Sequence, residues 1–397
     1  MSFSSQISKQ ISQLSPSHIV IGYSGGVDST VILDICSRLN IPTIAIHINH
    51  SVNKNADNWQ KHCHNECTKR NVSFLAYKLD SCPKGESFEA WASKERMKYF
   101  RSTLLNLPSP LLILGHHQDD QAETFLIQAI RGAGVSGLSG MPKLKTTDNY
   151  KIFRPLLAVS RDDIEKYAKI NSLSWVHDDS NDKTIYRRNY IRHKIIPTLK
   201  DINPSISKTL SRSANLCAKS NNILNKLLEK ELLSVLNDEM IVVEKLTKLD
   251  IDIQESLVHL WFKRQTTISL KANQVHSLIK AINNSATTGW SIDISGIKIT
   301  LEYGLLGYYS SKETVEHDKT VIYQWLKDNH SKDFDINKLT IRDRLSNDKC
   351  RYIGRNKDNK LKILFQELEI PSSKRHLTKI IEFENKIVAV YPFFICI

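Results

Sequence analysis

What this chain lacks narrows its function before anything it contains. No apolar run in the 397 residues approaches the roughly 20 that a membrane-spanning helix needs. The start, Met1 to Gln13, is polar and Ser-rich, without the apolar stretch of a signal peptide. Seven cysteines are scattered with no framework spacing and no Cys-x-x-Cys, the usage of reduced thiols rather than a disulfide scaffold. Together these absences predict a cytoplasmic protein with no membrane partner. No Gly-Lys-Ser/Thr follows a glycine-rich loop, so the lysine that braces phosphates in γ-phosphoryl transfer is missing. Neither an internal repeat nor a low-complexity tract is found.

Charge is what the chain has in excess. Fifty-five Lys and Arg against 42 Asp and Glu leave a net +13, a balance that favours a polyanionic partner such as nucleic acid. With 24% charged and 41% hydrophobic residues the composition is globular, and the length suits two or three domains.

The chain is organised around residues 18–38. An apolar run, His18-Ile19-Val20-Ile21, ends at Gly22 and Tyr23; Ser24-Gly25-Gly26-Val27-Asp28-Ser29 follows, then a helical stretch from Thr30 to Cys36. Strand, Gly-rich turn and helix aim free N–H groups and a positive dipole end at an anion. Gly25 and Gly26 let the backbone take positive φ and approach a phosphate. Ser24 and Ser29 add hydroxyls, and Asp28 adds a carboxylate able to hold Mg²⁺. The competing reading is an ordinary N-cap at Asp28 or Ser29.

Downstream, strands at 43–50, 73–79 and 111–114 alternate with helices at 56–70 and 88–105, which predicts a doubly wound parallel α/β sheet. His62-Cys63-His64 with Cys67 has the spacing of one helix face and no second ligand pair nearby, which argues against zinc. The strand at 111–114 runs into Gly115-His116-His117-Gln118-Asp119-Asp120-Gln121-Ala122-Glu123-Thr124. Asp120 and Glu123 fall one helical turn apart, either as dipole partners or as ligands for Mg²⁺ or a cationic substrate. From Lys183 to Lys200 there are six Lys or Arg and no acid.

The Ser-Gly-Gly-x-Asp-Ser loop resembles that of the PP-loop ATP pyrophosphatases, which implies ATP cleavage at the α-phosphate with Ser24, Gly25, Gly26, Val27, Asp28 and Ser29 around the nucleotide. The Gly-His-His-x-Asp-Asp-Gln-x-Glu-Thr segment, Arg154-Pro155-Leu156-Leu157, His177-Asp178-Asp179-Ser180-Asn181 and Arg187-Arg188-Asn189-Tyr190-Ile191-Arg192 narrow the resemblance to the tRNA(Ile)-lysidine synthetases. That resemblance implies a ligase using ATP and Mg²⁺ to join L-lysine to the wobble cytidine of the isoleucine tRNA with a CAU anticodon, through an adenylated tRNA. It assigns Asp28 to the metal and catalysis, Asp120 and Glu123 to catalysis and lysine, and Arg187, Arg188, Arg192, Arg355, Lys374 and Arg375 to tRNA. One departure stands out: the family's Ala-Arg-x-x-Arg-Tyr reads Ala92-Ser93-Lys94-Glu95-Arg96-Met97 here. The expected domains are a PP-loop domain over 1–215, a small α+β domain over 216–315 and a basic tRNA-binding domain over 320–397. A homodimer is compatible with these assignments. The alternative function is a PP-loop tRNA thiolation enzyme, which commonly uses a reactive cysteine pair.

Overall fold

The structure is a computed structural model that describes residues 2–49, 55–79, 82–83, 85, 88–177, 187–266, 268–284, 290–310, 318–330, 334–375 and 378–396. The chain divides into two compact units, Met1–Ile223 and Leu224–Ile397.

In the first unit α1 (Phe3–Leu14) leads to β1 (His18–Gly22), α2 (Val27–Ser37), β2 (Thr43–Asn49), α3 (Ala56–Lys69), β3 (Ser73–Lys78), α4 (Phe88–Leu104) and β4 (Pro110–Ile113). Then come α5 (Gln118–Ile130), α6 (Val135–Leu138), β5 (Leu144–Thr146), β6 (Lys151–Phe153) and α7 (Arg161–Ile170). The sheet order is β3-β2-β1-β4-β6-β5, parallel throughout except for β5 against β6. Alternate residues of its strands serve opposite faces, as the two-residue period requires. Ile19, Ile21, Leu111 and Ile113 enter one core with α1, α2 and α7; Val20 and Leu112 enter the other with Trp91, Phe100 and Leu104 of α4. The expected doubly wound sheet is therefore present, with an antiparallel edge strand added.

The chain reverses its direction of winding at β1, whose neighbours are β2 and β4. A crevice at the carboxyl ends of those strands is where an open α/β sheet binds its ligand. The helix α1 has no counterpart in the sequence expectations. Ser2 caps it by accepting from the Ser5 N–H, and Ile7 and Ile11, four residues apart, are its buried contacts.

Residues 178–186, including Asp178 to Asn181 of the family segment, lie outside the described residues. Beyond them, α8 (Arg187–Tyr190) passes through a π-helical turn at Ile191–Ile195 into α9 (Ile196–Ile202), and α10 (Ile206–Val235) follows. The boundary expected at 215 and the division at 223/224 both fall inside α10.

The second unit has β7 (Leu236–Asn237), β8 (Met240–Val242), α11 (Val243–Leu246), α12 (Ile251–Thr266), α13 (Ala272–Asn283), β9 (Trp290–Ile294), β10 (Ile297–Glu302) and β11 (Leu305–Ser310). Its five strands form an antiparallel sheet ordered β7-β8-β11-β10-β9, packed on Trp261, Phe262 and Leu278. Then α14 (Lys319–Asn329), β12 (Leu339–Asp343), β13 (Lys349–Cys350), β14 (Asn359–Lys360), α15 (Leu361–Glu367), α16 (Ser372–Arg375), β15 (Lys379–Phe383), β16 (Lys386–Tyr391) and β17 (Phe394–Ile395) complete the chain. Strands β12, β15, β16 and β17 make a second antiparallel sheet. The expectation of seven unpaired thiols is corrected at one pair. Tyr352 bridges to Cys396, which brings Cys350 and Cys396 to a Cα separation of 6.0 Å as a disulfide. No helix of the described residues is long and apolar enough to cross a membrane.

Trp261 is fully buried, and its indole N–H donates to the Glu239 carbonyl at 2.7 Å. Trp261→Ala should destabilise the second unit by about 3–5 kcal/mol, measured by urea unfolding followed through near-UV dichroism. A loss below 1 kcal/mol, on the order of a surface change, would show that this core does not hold the unit together.

A candidate active site of two cavities

The loop after β1 is built to leave a helix start open. Gly26, not Asp28 or Ser29, is the N-cap of α2, in extended conformation and with no side-chain cap. The first-turn N–H groups, which have no intrahelical acceptor, are thus not consumed by a cap. The N-cap reading of Asp28 and Ser29 is corrected: both sit inside the first turn, where the Ser29 hydroxyl donates back to the Gly26 carbonyl at 3.0 Å. Ser24 Oγ lies 3.1 Å from Ser29 Oγ and accepts from the Gly26 N–H at 3.3 Å. Gly25 has φ +86°, and a Cβ there would sit 2.8 Å from both Cys63 Sγ and Val176 Cγ2. Cys63 is therefore buried wall beneath the loop and Cys67, one turn on in α3, is buried in the same core, with burial pushing both thiols up to about 12.

Asp28 stands at the centre. Arg161 Nη1 donates to its Oδ2 at 2.8 Å, while the buried Oδ1 has no hydrogen-bond partner among the described residues and lies 3.9 Å from His117 Nε2. Burial raises the Asp28 carboxyl above its usual range against the pull of His117 and Arg161.

The acidic pair sits where the sequence places it but faces other residues. His117 and Asp120 close a capping box at the start of α5: the Asp119 N–H donates to His117 Nδ1, and the His117 N–H donates to Asp120 Oδ2 at 2.9 Å. Glu123, one turn on, is wholly buried. Arg188 Nε donates to Glu123 Oε2 at 2.7 Å and Arg192 Nε to Glu123 Oε1 at 2.6 Å. Arg188 Nη2 and Arg192 Nη2 reach Asp120 Oδ1 at 3.0 and 3.1 Å. Asp120 and Glu123, read from sequence as a receptor for lysine, have their oxygens occupied by two arginines read from sequence as tRNA contacts. The spacing of four residues puts both guanidiniums on one side of the helical segment, aimed inward. Burial pushes the Asp120 carboxyl up, but His117, Arg188 and His116 outweigh it and hold it at about 2.

Two cavities meet at this cluster. The first, about 470 Å³, is lined by Ser24, Asp28, Ile46, Ile48, Arg96, Phe100, Leu114, His116, Arg154 and Arg188 among others. The second, about 500 Å³, is lined by Ser24, Gly26, Val27, Asp28, Glu123, Arg161, Trp175, Arg192 and Lys200 among others. Ser24 and Asp28 belong to both, and the acid pair sends Arg188 into one and Arg192 into the other. Burial lowers His116 to about 4, so its ring is neutral at neutral pH, and its Nδ1 has no partner among the described residues.

Sequence reasoning missed Arg161, whose only signal is its place at the start of α7 on the same face as the loop. Arg96 and Arg154 were quoted in motifs but given no role. In the second unit Arg355 pairs with Glu367 at 2.7 Å and Lys374 with Asp238 at 3.0 Å. Arg375 donates to the Ile370 carbonyl and lies over the Phe365 ring, as does Arg344. These three predicted tRNA contacts are thus engaged within the unit. Lys349, Lys357, Lys360 and Lys362 are exposed. Arg187 is exposed on α8.

Three measurements test this geometry. Gly25→Ala should abolish nucleotide binding by calorimetry, because the added Cβ meets Cys63 and Val176 at 2.8 Å in a conformation L-residues avoid. Glu123→Gln should lower stability of the first unit by about 1–3 kcal/mol, since Arg188 and Arg192 each lose one of the two carboxylates they share. Asp120 is held below its ordinary 3.8 at about 2, so its stabilising contribution is complete above about pH 4 and is lost as pH falls toward 2. Asp120→Asn should flatten that acid limb in urea titrations, and an unchanged limb would remove Asp120 from the ion-pair network.

Residues 1–199 match the PP-loop domain family and residues 339–397 the TilS substrate C-terminal domain. A tRNA(Ile)-lysidine synthase of Francisella tularensis subsp. tularensis (strain WY96-3418) is 52% identical over 393 residues, covering 99% of this chain and 98% of the relative. The tRNA(Ile)-lysidine synthase of Coxiella burnetii (strain RSA 493 / Nine Mile phase I) is 32% identical over 415 residues, covering 96% and 90%.

Proposed function

The chain belongs to the tRNA(Ile)-lysidine synthase family, ligases with an ATP-binding PP-loop domain, and we propose how its two cavities divide that reaction. It joins L-lysine to the wobble cytidine of the isoleucine tRNA with a CAU anticodon, in the cytoplasm. The observation that carries the reading is Asp28, shared by both cavities beside an uncapped helix start. Adenosine lies in the first cavity against Ile46, Ile48, Phe100 and Leu114. The triphosphate crosses Ser24 and Ser29, so that the leaving pyrophosphate meets the amides of the α2 start. Arg161, Arg192 and Lys200 line the second cavity there and offset its charge.

Mg²⁺ suits Asp28: Oδ1 is a buried carboxylate oxygen without a partner among the described residues, and this ion typically takes one or two protein carboxylates with phosphates and water for the rest. When bound it neutralises charge on the phosphates. The chain's own residues do the remaining work. Attack of cytidine O2 on the α-phosphate turns an inert carbonyl oxygen into a leaving group, and the lysine ε-amine then displaces AMP at C2. Asp120 and Glu123 act through Arg188 and Arg192, holding one guanidinium toward each end of the nucleotide. Exposed Lys349, Lys357, Lys360 and Lys362 are better placed for the tRNA backbone than Arg355, Lys374 or Arg375, whose charges are already paired. A thiolation reading is disfavoured by Cys63 and Cys67, buried in one core and held as thiols.

Incubation with ATP, labelled lysine and total bacterial tRNA should give labelled tRNA with one AMP and one pyrophosphate per lysine. Asp28→Asn should stop pyrophosphate release without lowering thermal stability. Failure of the unaltered protein to label tRNA would overturn the reading.

A further inference from the structure

The first cavity contains a cation that nothing among the described residues satisfies. Arg96, on α4, lines that cavity with Ser93 and Met97, and among the described residues its guanidinium has neither hydrogen bond nor ion pair. Its neighbours differ in this respect. Arg154 Nη1 donates to the Pro142 carbonyl, and Arg188 is fixed on Asp120 and Glu123. The side chain is exposed and forms part of the cavity wall. Burial and the charge of Arg188 both weigh against its own charge, and a guanidinium cannot escape by losing its proton. A guanidinium on a cavity wall with no carboxylate of its own is a ready receptor for an incoming anion.

The phosphates of ATP are already provided for. The open amides of α2, the hydroxyls of Ser24 and Ser29, and Arg161, Arg192 and Lys200 gather at the loop and in the second cavity. Adenosine, the part of ATP that suits the apolar wall of the first cavity, is neutral. That leaves the carboxylate of the second small substrate, which a cavity of about 470 Å³ can admit, and the tRNA phosphates, whose loss would instead slow adenylation in the test below. Where the family pattern has another arginine and a tyrosine, α4 carries Ser93 and Met97, so Arg96 is the single cation this helix offers the cavity.

We propose that Arg96 receives the α-carboxylate of the amino-acid substrate, and with it sets the preference for lysine over amines of the same length. The proposal rests on the lysidine synthase reading above. A planar guanidinium matches a carboxylate in two parallel hydrogen bonds, which orients the chain of the substrate so that its far amine points toward the reacting base.

The test uses the full-length protein and separates the two half-reactions. Pyrophosphate release with tRNA and ATP reports adenylation; transfer is then followed with lysine, lysinamide and cadaverine, the last two lacking the carboxylate. The unaltered protein should prefer lysine. Arg96→Gln should raise KM for lysine by about 10- to 100-fold, the loss of a charge-assisted pair. It should leave adenylation and the KM for lysinamide within about twofold of their starting values. Arg96→Lys should recover part of the lysine preference. Equal losses on lysine and lysinamide, or slowed adenylation, would overturn the assignment. Ser93→Asp, one helical turn away, offers Arg96 an internal carboxylate and should raise KM for lysine selectively. Absence of that effect would also count against it, even if Arg96→Gln did not fold. If the unaltered protein transfers no lysine at all, the lysidine synthase reading itself fails; transfer without any carboxylate preference defeats Arg96 alone.

Discussion

Two carboxylates and two guanidiniums hold the catalytic end of this protein together. Glu123 is wholly buried, and an ionised carboxylate in that position is tolerable only because Arg188 and Arg192 both donate to it at 2.6–2.7 Å. Asp120 shares the same two guanidiniums while its other oxygen closes the capping box of α5. Such pairing adds little net stability compared with an apolar core, but removing one member leaves an uncompensated buried charge. The cluster therefore specifies a position more than it adds energy. It joins the helix after β4 to the helical segment that begins at Arg187, and so fixes which guanidinium enters which cavity.

The cluster depends in turn on the sheet. Reversal of winding at β1 separates β2 from β4 and leaves a crevice between the helices that follow them. Into that crevice β1 delivers Ser24 to Ser29, and β4 delivers His116 to Glu123. Gly25 and Gly26 permit the loop to lie flat on Cys63 and Val176 with an uncapped helix start above. Asp28 then lies within reach of His117 from the neighbouring strand end and of Arg161 from α7.

Much of this was legible before any coordinates. β1, β2, β3, β4, α3 and α4 follow from apolar periodicity, and the loop follows from its glycines, because such signals are local. The partners of charges are not local. Asp120 and Glu123 were correctly placed on one helical turn, but 65 to 72 residues separate them from Arg188 and Arg192 in the chain, and no spacing rule announces that pairing. Arg161 reaches Asp28 across 133 residues for the same reason. The disulfide of Cys350 with Cys396 escaped because 46 residues separate its ends. In the second unit, basic residues counted as one surface in the sequence divide into an engaged set and an exposed set only once Glu367, Asp238 and Phe365 are in place.

In the proposed reading the same charge cluster lets one fold run two different displacements in sequence. Adenylation needs positive charge where pyrophosphate departs, and aminolysis needs a site that orients a neutral amine while AMP departs. A single open basic cleft would serve the first and bind the phosphates too indiscriminately for the second. Here Asp120 and Glu123 each pair with both Arg188 and Arg192, so that each cavity receives a guanidinium already oriented and partly neutralised. Arg96, without such a partner among the described residues, is left to attract an anion. The division of labour between satisfied and unsatisfied arginines, rather than their number, distinguishes a group that holds the reaction frame from one that waits for substrate.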